Sequence, residues 1–169
     1  MHHLKTRQEP YMRYFISFSI ISFFLMASAH ANNQQEIQQL LAQKDAPFGV
    51  VFEIVEGNGD ALQWAMPAVN KYVKQLRERF PDIGLAVVTH GNEQFGLVTS
   101  QQKDNAKVHK TVQSLVASDV PVHVCGTHAS WRGKEAKDFP DYVDVSPAGP
   151  TEIRNYEEMG YVLVELSKP

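Results

Sequence analysis

Val120-Pro-Val-His-Val-Cys-Gly-Thr-His-Ala-Ser-Trp-Arg-Gly133 is the stretch on which the reading of this chain turns. A short β-branched run delivers the one cysteine of the protein, Cys125, into a polar Gly-Thr-His turn. Strand, thiol, turn is the order that sets a sulfur at the carboxyl edge of a sheet.

Similar runs lie on either side of it. Residues 48–55, Phe-Gly-Val-Val-Phe-Glu-Ile-Val, and residues 83–89, Ile-Gly-Leu-Ala-Val-Val-Thr, are nearly continuous strand formers, as strands covered on both faces require. Residues 142–145 and 161–166 add two more. Between them Leu62, Met66, Val69, Tyr72, Val73, Leu76 and Phe80 recur at helical spacing, as do Val108, Val112, Leu115 and Val116 in 105–118. Asp60 is the expected cap of the first of these helices, and Pro67 places its start or a kink near residue 67. The polar stretch 130–138 reads as a third helix. A fourth opens at Gly149-Pro150 and stops at Gly160. Five strands alternating with helices predict a three-layer α/β/α domain with a mainly parallel five-stranded sheet. Right-handed crossovers then bring every strand's carboxyl end to one edge, where such folds bind ligands. Glu56, Asn58 and Asp60, His90, Cys125 and Ser146 all belong to that edge.

Length and composition bound the rest. With 169 residues, 43% apolar and 21% charged, the chain suits one globular domain. Residues 1–14 carry Lys5, Arg7 and Arg13 ahead of the apolar run 15–26 and Ala29-His-Ala31. This is the pattern of a cleavable signal peptide, 1–31, starting at Met1 or Met12, with cleavage after Ala31 and a periplasmic destination. Residues 32–46 are a glutamine-rich helix or tether, and 47–169 the α/β domain. Without residues 1–31, 13 basic and 18 acidic residues remain, a charge of −5 that speaks against a nucleic-acid partner. After cleavage no membrane partner is expected. No nucleotide fingerprint is present, and no cofactor is called for.

A lone cysteine in an exported chain is inert, paired between chains, bound to metal, or a reactive thiol. The polar turn after Cys125 favours reactivity, with His90 and His128 as neighbours that tune it and Arg132, Lys134 and Asn58 as contacts for an anionic donor. His123, Cys125 and His128 form an alternative soft-metal set for zinc or copper. A third reading is an oligomeric interaction module with an idle thiol. An anion loop of the phosphatase or rhodanese type needs an arginine six positions after the thiol, and position 131 is Trp131.

In order and spacing, Val50 to Ile54, the helix around Val69, Leu85-Ala-Val-Val-Thr-His-Gly91, Asp119-Val-Pro-Val-His-Val-Cys125, and Val145-Ser-Pro-Ala-Gly-Pro150 with Gly160-Tyr-Val-Leu-Val resemble the DsrE/DsrF-like sulfur-relay family. The resemblance spans about 47–166. It implies a flavodoxin-like domain assembled as a homotrimer or hexamer. It also implies a cysteine, here Cys125, that carries sulfane sulfur as a persulfide between a donor (a protein or a small sulfane-sulfur compound) and an acceptor protein. This chain has no second cysteine to pass the sulfur on.

Overall fold

The computed structural model describes residues 33–168, so the expected signal peptide lies outside the described residues. Five strands form a single sheet: β1 (Gly49–Ile54), β2 (Gly84–Thr89), β3 (Val122–Cys125), β4 (Asp144–Ser146) and β5 (Tyr161–Leu166). All neighbours pair in parallel, in the order β4-β3-β2-β1-β5. The helices are α1 (Asn33–Leu41), α2 (Leu62–Arg79), α3 (Ala106–Val116), α4 (Gly126–Trp131) and α5 (Gly149–Glu158).

The layering follows from strand order. The chain steps β1, β2, β3, β4 in one direction, so right-handed crossovers place α2, α3 and α4 on one face. The return from β4 to β5 runs the other way across the sheet and puts α5 on the opposite face. The core divides accordingly. Phe52, Ile54, Val87 and Val124 pack with Ile37 of α1, Met66 of α2 and Leu115 of α3, while Val51, Ala86 and Val88 meet Ile153 and Tyr156 of α5. Each such buried Val, Leu, Ile, Phe or Met side chain contributes about 1.5–3 kcal/mol relative to exposure. No helix among the described residues is long and apolar enough to cross a membrane.

Three local expectations need correction. The helix expected at 130–138 begins earlier, directly after Cys125, and ends at Trp131. Gly133, at φ +65°, takes the left-handed conformation that turns the chain away, and only a single 3-10 turn, Ala136–Asp138, follows. Asp60 does not cap α2: Ala61 precedes the helix with no side-chain cap, and the Asp60 N–H instead donates to Asn58 Oδ1 at 3.0 Å. Of the two expectations for Pro67, a helix start is excluded, since α2 begins at Leu62, five residues before it. A proline removes the donor that would meet the Gln63 carbonyl. Gln63 and Pro67 are both exposed, so water can replace the lost bond.

Two buried polar side chains hold the carboxyl edge. Glu93, wholly buried in the 3-10 turn Asn92–Leu97, accepts from the backbone N–H of Glu56 (2.7 Å) and of Gly91 (2.8 Å) and from the Thr89 hydroxyl. It thereby ties the end of β1 to the end of β2. Gly91 lies at the crossing, where a Cβ would come within 2.6 Å of the Glu56 backbone. His109 of α3 lies between the Gly96 carbonyl (3.0 Å from Nε2) and the Tyr142 hydroxyl (2.6 Å from Nδ1). A carbonyl can only accept, so Nε2 carries the proton and the neutral ring accepts from Tyr142 at Nδ1.

Glu93→Ala would leave three donors facing a cavity. We expect a loss of about 3 kcal/mol or more in urea denaturation, because each buried unmet donor costs about 1–3 kcal/mol. His109 gives a pH dependence. Burial lowers its pKa from the ordinary value, outweighing the opposing Gly96 hydrogen bond. Above about pH 6.5, the ordinary histidine value, folded and unfolded chains both hold it neutral and its contribution is complete. Below that pH the unfolded chain binds a proton that the folded chain resists, so stability falls as pH drops. We expect Tm to decline from pH 7 to pH 5, and to decline less in His109→Gln.

Candidate thiol site

β3 alternates its side chains between the two faces of the sheet. Val122 and Val124 join the larger core, so His123 and Cys125 project toward the face of α5. Cys125 is a free thiol, 5% exposed. It ends its strand and is also the N-cap of α4, with the His128 N–H donating to Sγ at 3.4 Å. Cysteine is not among the usual capping residues, which is why the start of α4 was hard to read from the sequence.

The register supplies the neighbours. Cys125 pairs with Ser146 of β4, and Val124 pairs with Thr89 of β2. His90, one residue past Thr89, therefore flanks Cys125 at the same level and on the same face. Its ring is turned away from the sulfur, with Nε2 2.6 Å from Glu53 Oε1 on β1. The start of α5 covers this histidine so closely that a Cβ at Gly149 would come within 2.5 Å of the His90 Cβ. His128 reaches the same strand end by another route: its Nδ1 lies 2.7 Å from the His90 carbonyl. That contact places the proton on Nδ1 and leaves the lone pair of the neutral ring on Nε2. The His128 ring packs edge-on against Phe95 at 5.3 Å and tilts against the exposed Trp131 at 5.5 Å.

His123, the third histidine expected nearby, lies beneath α5. Its Nε2 meets the Tyr156 hydroxyl at 2.9 Å, and its Nδ1 faces Asp144 Oδ2 (2.9 Å) and the Ser146 hydroxyl (3.1 Å). Burial, reinforced by Glu152, Tyr161 and Asp144, pushes the Tyr156 pKa up to about 12, so the phenol keeps its proton. With both His123 nitrogens engaged and His128 Nδ1 on a carbonyl, the set His123, Cys125 and His128 is not gathered around a common point. Among the described residues no three His, Cys, Asp or Glu side chains are placed to hold a metal ion.

Arg132 and Lys134 line a cleft of about 600 Å³ together with Gly57, Asp60, Asn92 and Phe95. Arg132 donates to Asn92 Oδ1 at 2.7 Å and lies over the Phe95 ring, 5.4 Å from its centroid. Asn58 faces a neighbouring hollow of about 340 Å³ with Glu56, Trp64 and Lys168. Cys125 is not among the residues lining either hollow. Phe95 and His128 link the larger cleft to the thiol, since Phe95 lines the cleft and packs on His128, whose backbone N–H donates to Sγ. Four further residues belong to the site. Glu53 holds His90, Tyr156 and Asp144 hold His123, and Gln94 accepts the Cys125 backbone N–H at 2.8 Å. Glu53 carried a faint signal as the one charge in an apolar strand. Gln94, in a loop without periodicity, carried none.

Neither a protein-family model nor a curated protein matches the sequence. Solved structures do share the architecture. One is a protein of unknown function, MTH1491, from Methanobacterium thermoautotrophicum, at 18% identity and a TM-score of 0.57 over 70% of this chain and 99% of that one. Another is the ychN protein from E. coli, at 15% identity and a TM-score of 0.53 over the same shares. At these identities the likeness concerns the fold alone. The chain has a DsrE-like, flavodoxin-type α/β fold.

Proposed function

We propose that this protein is a sulfur carrier in which Cys125 takes up sulfane sulfur as a persulfide. The observation that carries the reading is the position of the thiol. It ends an inner strand at the carboxyl edge of the sheet, the edge where such folds bind ligands, with the His128 backbone N–H directed at Sγ and the backbone of His90 at the same level. A cysteine kept only as core filler has no need of a polar turn or a donor on its sulfur.

In the proposed reaction the Cys125 thiolate attacks the sulfane sulfur of a donor such as a polysulfide. A new S–S bond forms, the donor's S–S bond breaks, and the electron pair leaves with the donor thiolate. An acceptor thiolate then attacks the outer sulfur and releases the Cys125 thiolate, with no net oxidation. Arg132 and Lys134 at the cleft attract the anionic donor, His128 accepts and returns protons at the site through the lone pair on its Nε2, and His90, held by Glu53, shapes the strand end beside the thiol. Asn58 contributes through the β1–α2 turn that it stabilises. The setting that belongs to this reading is the periplasm, after removal of residues 1–31, in a homotrimer or hexamer.

Incubation with polysulfide followed by intact-mass analysis tests the chemistry. We expect one or more added sulfur atoms on the wild type, removed by dithiothreitol, and none on Cys125→Ala. A wild type that gains no sulfur from any sulfane donor sinks the reading. The enclosure of Cys125 sets a second expectation: the rate ratio of a slender methyl thiosulfonate to a bulky aromatic disulfide should exceed the same ratio for free cysteine by at least about tenfold. Equal ratios would mean that the thiol is open and that access does not select the donor.

A further inference from the structure

Gln94, which accepts the Cys125 backbone N–H, carries a donor that no group among the described residues uses. Gln94 Oε1 accepts the Cys125 backbone N–H at 2.8 Å, at the point where β2 ends. A backbone N–H can only donate, so the oxygen must be the end of the amide that faces Cys125, and Nε2 the other. Gln94 is 0% exposed, and its Nε2 has no hydrogen-bond partner. Native proteins seldom leave a buried donor unmet. The adjacent Glu93 shows the contrast, with both carboxylate oxygens engaged. Gln75 Oε1 is also without a partner, but Gln75 is a half-buried residue on α2, whereas Gln94 is enclosed.

The distances confine what the donor can serve. The nitrogen and oxygen of an amide are about 2.3 Å apart, so Nε2 lies within about 5 Å of the Cys125 backbone nitrogen. An acceptor for it lies within about 8 Å of that nitrogen, a radius that includes the outer sulfur of a Cys125 persulfide. A persulfide extends the cysteine by about 2.05 Å and ends in an anionic sulfur, an acceptor that the resting thiol does not present.

We propose that Gln94 Nε2 is the hydrogen-bond donor for the outer sulfur of a Cys125 persulfide, a role that rests on the carrier reading above. The two sulfurs then have one donor each: the His128 N–H for Sγ and the Gln94 amide for the sulfur bound to it. The covalent step is unchanged. Gln94 adds a charge-assisted hydrogen bond that exists only in the loaded state, so it favours retention of sulfur over its return to the donor. Because the same amide accepts the Cys125 N–H, its position is set before sulfur arrives.

The test compares resting and polysulfide-treated protein. In isotope-labelled wild type, the Gln94 side-chain amide resonances should shift when Cys125 gains sulfur. In Gln94→Glu an oxygen still meets the Cys125 N–H but the donor is gone. At pH 8 its persulfide occupancy should fall about tenfold, while iodoacetamide alkylation of the resting thiol stays within about twofold of wild type. A wild type that takes up no sulfur overturns both this inference and the carrier reading. A wild type that loads sulfur with the Gln94 amide unmoved, as for an amide bonded only to water, overturns this inference alone. So does equal occupancy in Gln94→Glu. If that variant does not fold, the wild-type amide resonances decide.

Discussion

Every strand of this sheet runs in the same direction, and much else follows from that constraint. Parallel neighbours cannot be joined by a tight turn, so each connection must cross the sheet, and the right-handedness of those crossings assigns each helix to a face. Three steps one way and one long return leave α1, α2, α3 and α4 on one side and α5 alone on the other. The strand ends are gathered at one edge for the same reason, and the Glu93 carboxylate holds two of them together at their closest approach.

The thinly covered face is where the polar chemistry lies. Glu53, His90, His123 and Cys125 all project to the side of α5, and a single helix cannot cover five strands. Glu53 and His90 are 17% and 15% exposed at the side chain, so their pairing lies close to water. His123 is 5% exposed and is satisfied by a phenol, a carboxylate and a hydroxyl drawn from α5 and β4. An imidazole buried this way holds α5 to the sheet, while the pair Glu53 and His90 is partly open to solvent. The same strand alternation that fills the larger core with valines thus builds a polar platform on its other side.

Much of this was legible in the chain before any coordinates. The apolar runs around Val50, Ala86 and Val164 are local signals for buried strands, and each became one. Gly160, at φ +90°, ends α5 where a left-handed residue was needed. The errors came where local chemistry was ambiguous. Asp60 looked like a cap, but Asn58 took its backbone N–H into a turn instead. Gly126 and Thr127 looked like a loop, but the sulfur of Cys125 capped them into a helix. Pro67 looked like a start or a kink; the helix starts before it, and because Gln63 and Pro67 are both exposed its missing donor matters little.

By itself the sequence determined the class of fold, the number of strands and their succession along the chain, and that Cys125 closes one of them. Those properties depend on periodicity and turn chemistry within a few residues. Only the tertiary structure decided the company that the thiol keeps. Glu53, His90, Gln94 and Cys125 stand on separate segments and meet only when β1, β2 and β3 lock in register, because a one-residue slip would carry each side chain to the opposite face. The separation of the cationic cleft from the sulfur, and the unspent amide of Gln94, arise from the same long-range packing.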